Sequence, residues 1–385
     1  MADPRVCTGN HFQIGNWALT EGALAAGCDF AAGYPITPAS EVANFLAKRL
    51  PEVGGVFIQS EDEISACCAA IGASWAGRRA MTVTSGPGIS LMQESIGFAV
   101  ATETPLVIVD VQRFGPSTGV PSVGLAADMV QVARGSHGDY QIIALAPDTP
   151  QSMFSIMIRA FDLAERFRVP VFVMTDGFAG HMRERISIPD ASSVVVRSRK
   201  IAKPAASVLE RKDFLDEDVA PMPVFGRGLA AHVTSSCHDA HGMRNLSDPE
   251  TMHTYVVAPV NKILKHRREI VRVDETRVED ADLIIISYGT VSRCGAAALA
   301  AARKEGFAVG QLRLETCWPL PDEEIRRVAQ KAKHLLVLEN NMGQMLPYIQ
   351  AAAGEPGKVR FMGPKLLGQI QEPEAIVHTI REIMA

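Results

Sequence analysis

Short apolar runs alternate with longer helical stretches, and this alternation constrains the fold more than any other feature of the chain. The runs Phe30–Ile36, Val56–Gln59, Ala80–Thr84, Pro105–Val111, Tyr140–Leu145 and Pro170–Thr175 read as strands. Between them Trp17–Ala26, Ser40–Leu50, Ser60–Ala76, Leu91–Ala101, Leu125–Ala133 and Pro150–Phe167 read as helices. Such alternation predicts a parallel sheet with helices on both faces. The strands are apolar throughout rather than at every second residue, as burial on both faces requires. Aromatic residues make up only 6%, so the core is built mainly from Ala, Val, Ile and Leu.

The pattern breaks after Ile186. A stretch rich in Pro, Ser and charge runs to Val224, followed by a polar, His-bearing segment (His232–His253) and a basic helix over Thr254–Val271. Alternation then resumes: Asp282–Ser287, Ala308–Leu314, His334–Glu339 and Lys358–Phe361 as strands, Ser292–Lys304, Asp322–Ala332, Met345–Ala353 and a closing stretch from Glu372 as helices. The expected fold class is α/β, with two parallel-sheet domains over 1–185 and 276–385 and a connector over 186–275. The basic helix, with Lys262, Lys265, His266, Arg267 and Arg268, is expected to present a solvated face.

Bulk properties exclude several classes. A net charge of -5 without a basic stripe argues against nucleic acid. No uncharged apolar run is long enough to span a membrane, and the polar first ten residues lack the core of a secretory signal. The 7 cysteines include no C-x-x-C pair, which points to reduced thiols in the cytoplasm rather than disulfides or a metal or cluster site. His232, His238, His241 and His253 are too irregularly spaced for a metal set.

In open parallel sheets ligands bind beyond the carboxyl ends of the strands, so chemistry is sought there. In Gly33-Tyr34-Pro35-Ile36-Thr37-Pro38-Ala39-Ser40, Thr37 is placed to cap a helix with Pro38 at its first position. That helix start can hold an anion, although a plain capped helix shows the same pattern. In Gln59-Ser60-Glu61-Asp62-Glu63, Ser60 and Glu63 have capping-box spacing. Glu63 also opens a helix of small residues (Ser65, Ala66, Cys67, Cys68, Ala69, Ala70) that a ligand can approach closely. The third segment, Val109 to Gly119, carries Arg113 from a buried strand into a Gly/Pro/Ser-rich loop, and a guanidinium there suits bidentate carboxylate binding. Thr84-Ser85-Gly86-Pro87-Gly88 reads by itself as a turn, matching neither a dinucleotide nor a Walker fingerprint.

Together these segments resemble the alpha subunit of the 2-oxoacid:ferredoxin oxidoreductases, most closely the 2-oxoglutarate (2-oxoglutarate synthase) type. The matching stretches are GYPITPASE (33–41), LPEVGGVFIQSEDEISA (50–66), IGASWAG (71–77), TSGPGISLMQE (84–94), TETPLVIVDVQRFGPSTG (102–119), TDGF (175–178) and VLENNMGQM (337–345). The resemblance implies a thiamine-diphosphate pyrimidine-binding domain followed by a transketolase C-terminal-like domain. Glu63, in preference to Glu61, matches the glutamate that hydrogen-bonds the aminopyrimidine and so favours the tautomer that generates the carbon nucleophile. Thr37 and Arg113 match residues that contact the substrate carboxylate. Pro35, Ile36, Ser85 and Gly86 fall beside the same pocket.

The resemblance also accounts for what is missing. No GDG-type diphosphate and Mg²⁺ motif is present, since Asp176-Gly177 has the wrong neighbours, and no cluster cysteines are present. The implied assembly supplies them: a beta subunit with the diphosphate/Mg²⁺ site and a 4Fe-4S cluster, a gamma or further iron–sulfur subunit, ferredoxin as electron acceptor and coenzyme A as co-substrate. Phe114 stands where relatives often carry a smaller residue, which predicts a narrower or more apolar pocket. His238 and Gly242 keep part of the family pattern, whereas Ser235, Cys237 and Ala240 depart from it. The alternatives are the same chemistry on a branched-chain or aryl 2-oxoacid such as phenylglyoxylate, a non-catalytic scaffold, and, more distantly, a nucleotide-binding module.

Overall fold

The computed structural model describes residues 6–195, 197–203, 219–228, 231–239 and 241–385; Ala240, one of the divergent positions, lies outside them. From the N-terminus the elements are β1 (Gly9–Ile14), α1 (Gly15–Ala25), β2 (Phe30–Gly33), α2 (Ser40–Glu52), β3 (Val56–Gln59), α3 (Glu63–Trp75), β4 (Ala80–Thr84), α4 (Gly86–Leu91) and α5 (Gln93–Ala101). Next come β5 (Leu106–Phe114), β6 (Val120–Gly124), α6 (Met129–Arg134), β7 (Ile143–Leu145), α7 (Pro150–Phe167), β8 (Pro170–Asp176), α8 (Gly177–His181) and β9 (Arg183–Ile188). The connector yields α9 (Pro249–Lys265) and α10 (Arg267–Ile270). The remainder is β10 (Val273–Thr276), β11 (Leu283–Ser287), α11 (Val291–Lys304), β12 (Val309–Leu314), β13 (Thr316–Trp318), α12 (Asp322–Lys331), β14 (His334–Leu338), α13 (Leu346–Ala353), β15 (Val359–Met362) and α14 (Pro373–Met384).

The first sheet runs β13-β7-β8-β5-β4-β2-β3, with β6 paired to β5, and the second runs β10-β12-β11-β14-β15. Both are parallel apart from β6, β10 and β13. The α/β class with parallel sheets is therefore as expected. Burial of nearly every residue of β4, β5, β8 and β11 explains why each carries a run of buried residues rather than an alternating pattern. One face of the first sheet packs on α1, α2 and α7 through Leu19, Leu46, Met157 and Phe161. The other face shares an unbroken apolar core with the second sheet, in which Ile108 and Phe172 join Ile286, Leu312, Trp318 and Val337.

Several sequence expectations are corrected. The antiparallel pair β1–β9 and the strands β10 and β13 were unforeseen, because each is short or too exposed to show an apolar run. Strand β2 ends at Gly33 rather than Ile36, and α6 begins at Met129 rather than Leu125. Thr84-Ser85-Gly86-Pro87-Gly88 is no mere turn, since Gly86 opens α4 with Pro87 in its first turn. The basic helix is not simply a solvated face. Lys262 is buried, its Nζ donating to Glu103 Oε2 at 2.5 Å and to the Arg168 carbonyl at 3.0 Å. Arg267 pairs with Asp322.

Buried ion pairs cost heavily when only one partner is removed. Lys262→Ala is expected to destabilise the fold by roughly 3–5 kcal/mol, read from denaturant unfolding. The double change Lys262→Met with Glu103→Gln, which removes both charges of this pair, is expected to cost less.

Candidate functional site

The strands β2, β3, β4 and β5 end on one edge of the first sheet, and the residues singled out in the sequence lie at or just beyond those ends. After β2, Tyr34 to Ala39 form a loop in which the Thr37–Pro38 peptide is cis. Helix α2 starts only at Ser40, with Ala39 at its cap and no side-chain capping bond. Thr37 is thus not a helix cap. Prolines at 35 and 38 hold the preceding residues out of the helical region, and the Thr37 carbonyl accepts instead from Arg113 Nη1 at 2.7 Å. The Pro38 carbonyl accepts from the buried Asn16 side chain at 3.0 Å.

The capping box at Ser60 and Glu63 is also overturned. Asp62 caps α3, its Oδ1 accepting from Ser65 N at 2.7 Å. A shorter reach explains the preference, since an Asp at the cap meets the third helical N–H without help from Ser60. Glu63 is thereby released from capping. It is 4% exposed, whereas Glu61 is exposed. Thr84 Oγ1 donates to Glu63 Oε1 over a long 3.5 Å. Gly88 lies directly against this carboxyl: a Cβ there would stand 1.9 Å from Thr84 Oγ1 and 2.7 Å from Glu63 Oε1. Ser85 Oγ is buried with no hydrogen-bond partner among the described residues.

Arg113 is not carried on a loop, because β5 continues to Phe114 and folds back as β6. Arg113 is 7% exposed. Besides Thr37, the Thr118 carbonyl accepts from Nη2 at 2.9 Å, and Nε is buried without a partner. Burial presses the Arg113 pKa down, with Asp128 and Glu63 pulling the other way.

A cavity of about 540 Å³ opens at this edge, lined by Gly86, Arg113, Pro116, Asp128, Asn341 and Gln344 among others. Of the expected site residues, Arg113 and Gly86 line it. Glu63 and Ser85 are buried beside it, and Pro35, Ile36 and Thr37 stand across Arg113 on the β2 loop. Phe114 does not line it. Its ring packs against Gly368, where a Cβ would meet Cδ2 at 3.3 Å.

Two contributions were missed in the sequence. One is Asp110, a carboxyl inside the apolar run Pro105–Val111, which is a signal that could have been read. The other is the loop after β14. Asn341 Nδ2 donates to the Ala126 carbonyl at 2.6 Å and to Tyr288 Oη at 2.9 Å. Gln344 donates to the Ala127 carbonyl and accepts from Val130 N at 3.4 Å. The second sheet thus clamps the segment that carries Asp128.

Residues 21–257, more than half of the chain, match the family described as "Pyruvate flavodoxin/ferredoxin oxidoreductase, thiamine diP-bdg". The chain belongs to the 2-oxoacid:ferredoxin oxidoreductase family. Residues 281–376 match the family's "core domain II". The subunit KorA of 2-oxoglutarate synthase from Methanothermobacter thermautotrophicus is 48% identical over 97% of this chain and 98% of its own length. The subunit VorB of a ketoisovalerate oxidoreductase from Methanothermobacter marburgensis is 35% identical over 96% of each chain. In the solved 2-oxoglutarate:ferredoxin oxidoreductase from Magnetococcus marinus, bound to 2-oxoglutarate, coenzyme A and succinyl-CoA, one chain superposes with a TM-score of 0.90 at 31% identity. The match covers 98% of this chain and 66% of that one. Among the described residues no helix is long and apolar enough to cross a membrane.

As a subunit of such an oxidoreductase, the chain fits the pyrimidine end of thiamine diphosphate. A buried carboxyl with one long hydrogen bond, an unpartnered buried hydroxyl and a cradle at Gly88 that any Cβ would fill are what a polar heterocycle requires. Gly88→Ala is expected to push Glu63 and Thr84 aside. Thiamine diphosphate affinity of the assembled enzyme, titrated by calorimetry, should fall at least about tenfold, equivalent to about 1.4 kcal/mol.

Proposed function

We propose that this chain is the alpha subunit of a thiamine-diphosphate-dependent 2-oxoglutarate:ferredoxin oxidoreductase, which converts 2-oxoglutarate and coenzyme A to succinyl-CoA and carbon dioxide with electrons passing to ferredoxin. The observation that carries the reading is Glu63, buried and free of helix capping, set against Gly88 and within electrostatic reach of Arg113. Near-full-length likeness to a 2-oxoglutarate synthase subunit supports the substrate.

Thiamine diphosphate, when bound, supplies the carbon nucleophile for decarboxylation. Glu63 holds a proton at the aminopyrimidine ring. Pro35, Ile36, Ser85 and Gly86 shape the walls around that ring. Arg113 spends two of its five N–H groups on the backbone, one of them on the Thr37 carbonyl, and its remaining terminal N–H groups are inferred to meet the substrate carboxylate, with Thr37 contributing from the β2 loop. The diphosphate and Mg²⁺ belong to a partner. Asp176, at the end of β8, accepts from Ala179 N at 2.9 Å as the cap of α8, which leaves it committed to the helix. A beta subunit is inferred to bring the diphosphate/Mg²⁺ site and a 4Fe-4S cluster, and a gamma or further iron–sulfur subunit to complete the path to ferredoxin. The exposed apolar side chains of Tyr34, Ile58, Ile64 and Leu91 lie on the elements that hold the site, which suits coverage by another chain. The cytoplasm is the inferred location.

The VorB relative favours a second reading, the same chemistry on a branched-chain 2-oxoacid. The test is coenzyme-A-dependent viologen reduction by the complex purified through this chain, across a panel of 2-oxoacids. Preference for 2-oxoglutarate is expected, and preference for a branched or aryl acid would move the specificity. Glu63→Gln is expected to lower turnover by about 10²–10⁴-fold with assembly intact. Full activity in that variant would leave the chain a scaffold.

A further inference from the structure

Asp110 stands between Val109 and Val111 in β5 and is completely buried. By strand alternation it shares the face of Leu106 and Ile108, which belong to the apolar core between the two sheets. No N–H or O–H of the described residues reaches Asp110 Oδ1, Asp110 Oδ2 or Asp128 Oδ2. The group that faces Asp110 is the carboxyl of Asp128. Pairing of β4 with β5 sets Thr84 opposite Asp110, which brings Gly86 to the same spot. There the Asp128 carboxyl stands over Gly86, 3.0 Å from where a Cβ would be. The Asp128 N–H donates to Gln112 Oε1 at 3.0 Å, which holds the residue in place.

Two carboxylates in contact and out of water cannot both ionise. Since no donor of the described residues reaches these oxygens as placed, a proton on one carboxyl gives both a hydrogen bond. Asp110, the deeper of the two, is the donor. Asp128, at the cavity wall beside Arg113, is the acceptor. We propose that Asp110 and Asp128 form a carboxyl pair sharing one proton, which keeps one negative charge rather than two opposite Arg113 at the wall of the substrate cavity. This inference rests on reading that cavity as a 2-oxoacid site.

The charged groups facing the pair are Arg113 from β5 and, beyond it, Glu63 from α3. Strand β4 and the first turn of α4 present only Thr84, Ser85 and Gly86. Burial and the facing Asp128 hold Asp110 well above the usual carboxylate range. Burial pushes Asp128 up to about 6 against the opposing pull of Asp110 and Arg113. As pH rises past about 6 Asp128 gives up its proton, while burial and the charge facing it hold a proton on Asp110, so the pair carries one. Loss of that proton would set two charges against Arg113, drawing the guanidinium to them and repelling an anionic substrate. The pair positions Arg113 and sets its charge balance; it does not touch the reacting atoms.

Both folded-state values lie above the unfolded one, so the stabilisation is complete at low pH and disappears as pH rises through them. The experiment compares the assembled complex as wild type, Asp110→Asn and Asp128→Asn from about pH 6 to about pH 9, measuring KM and kcat for 2-oxoglutarate and thermal unfolding. The wild-type KM is expected to rise by up to about tenfold per pH unit once Asp110 ionises, with kcat changing less. Asp110→Asn retains a donor to Asp128 but cannot titrate, so its KM and its unfolding midpoint are expected to lose that alkaline dependence. Asp128→Asn removes the facing charge but leaves Asp110 titratable, so the alkaline rise in KM and the fall in the unfolding midpoint should move to lower pH; this variant decides the matter if Asp110→Asn fails to assemble. Parallel profiles for wild type and both variants would overturn the pair. If the complex accepts no 2-oxoacid, the functional reading falls, while the pH dependence of unfolding still decides for or against the shared proton.

Discussion

The bonds from the Arg113 guanidinium to the carbonyls of Thr37 and Thr118 hold the carboxyl edge of the first sheet together. Parallel strands deliver their chains to that edge and then send each one off to a different helix, so the loops there have no ladder to bind them. A planar cation with several N–H groups can serve two loops at once and still face a ligand. Its targets are backbone oxygens, so the brace tolerates change in the side chains of Thr37 and Thr118 but not loss of the guanidinium. Structural and binding roles are therefore joined in one residue, and a variant at Arg113 would disturb both.

The far wall of the cavity is held from the second sheet. Tyr288 Oη donates to Glu339 Oε2 at 2.7 Å, Asn341 donates to Tyr288 Oη, and Met345 N donates to the same Glu339 oxygen. This buried network fixes the loop after β14, whose Asn341 and Gln344 then grip Ala126, Ala127 and Val130. Burial lifts the Glu339 and Tyr288 pKa values, consistent with a network that stays hydrogen-bonded rather than hydrated. The cavity belongs to both sheets, and any shift of one against the other would change its shape at Asp128.

The order of strands and helices was legible because burial on both faces leaves uninterrupted apolar runs. Strands β1, β9 and β13 were not, because a short or exposed strand has no such run. The residue types at the edge were also legible: Glu63, Thr37 and Arg113 stood out as polar groups at strand ends. Their local geometry was not. Ser60 and Asp62 both offer caps to α3, and only the backbone path decides between them. Thr37 was read as a cap because Thr-Pro commonly opens a helix, and nothing in the local sequence announced that its carbonyl would be claimed from 76 residues away. Asp110 was legible as a charge within Val-Asp-Val but passed over, and its partner Asp128 lies in a loop whose position is set by residues beyond 340.

Strand β13 carries a consequence for how the chain is made. It lies outside the first run of strands in sequence yet forms the border of the first sheet, pairing Thr316 with Leu145 while Ala146 N donates to the Glu315 carbonyl at 2.7 Å. During synthesis the β7 border stays naked until residue 318 has left the ribosome, long after the rest of that sheet is available to assemble. A bare, apolar sheet border invites pairing with other chains. The nascent N-terminal half is thus a species in need of protection, and completion of its first sheet waits on the arrival of the second.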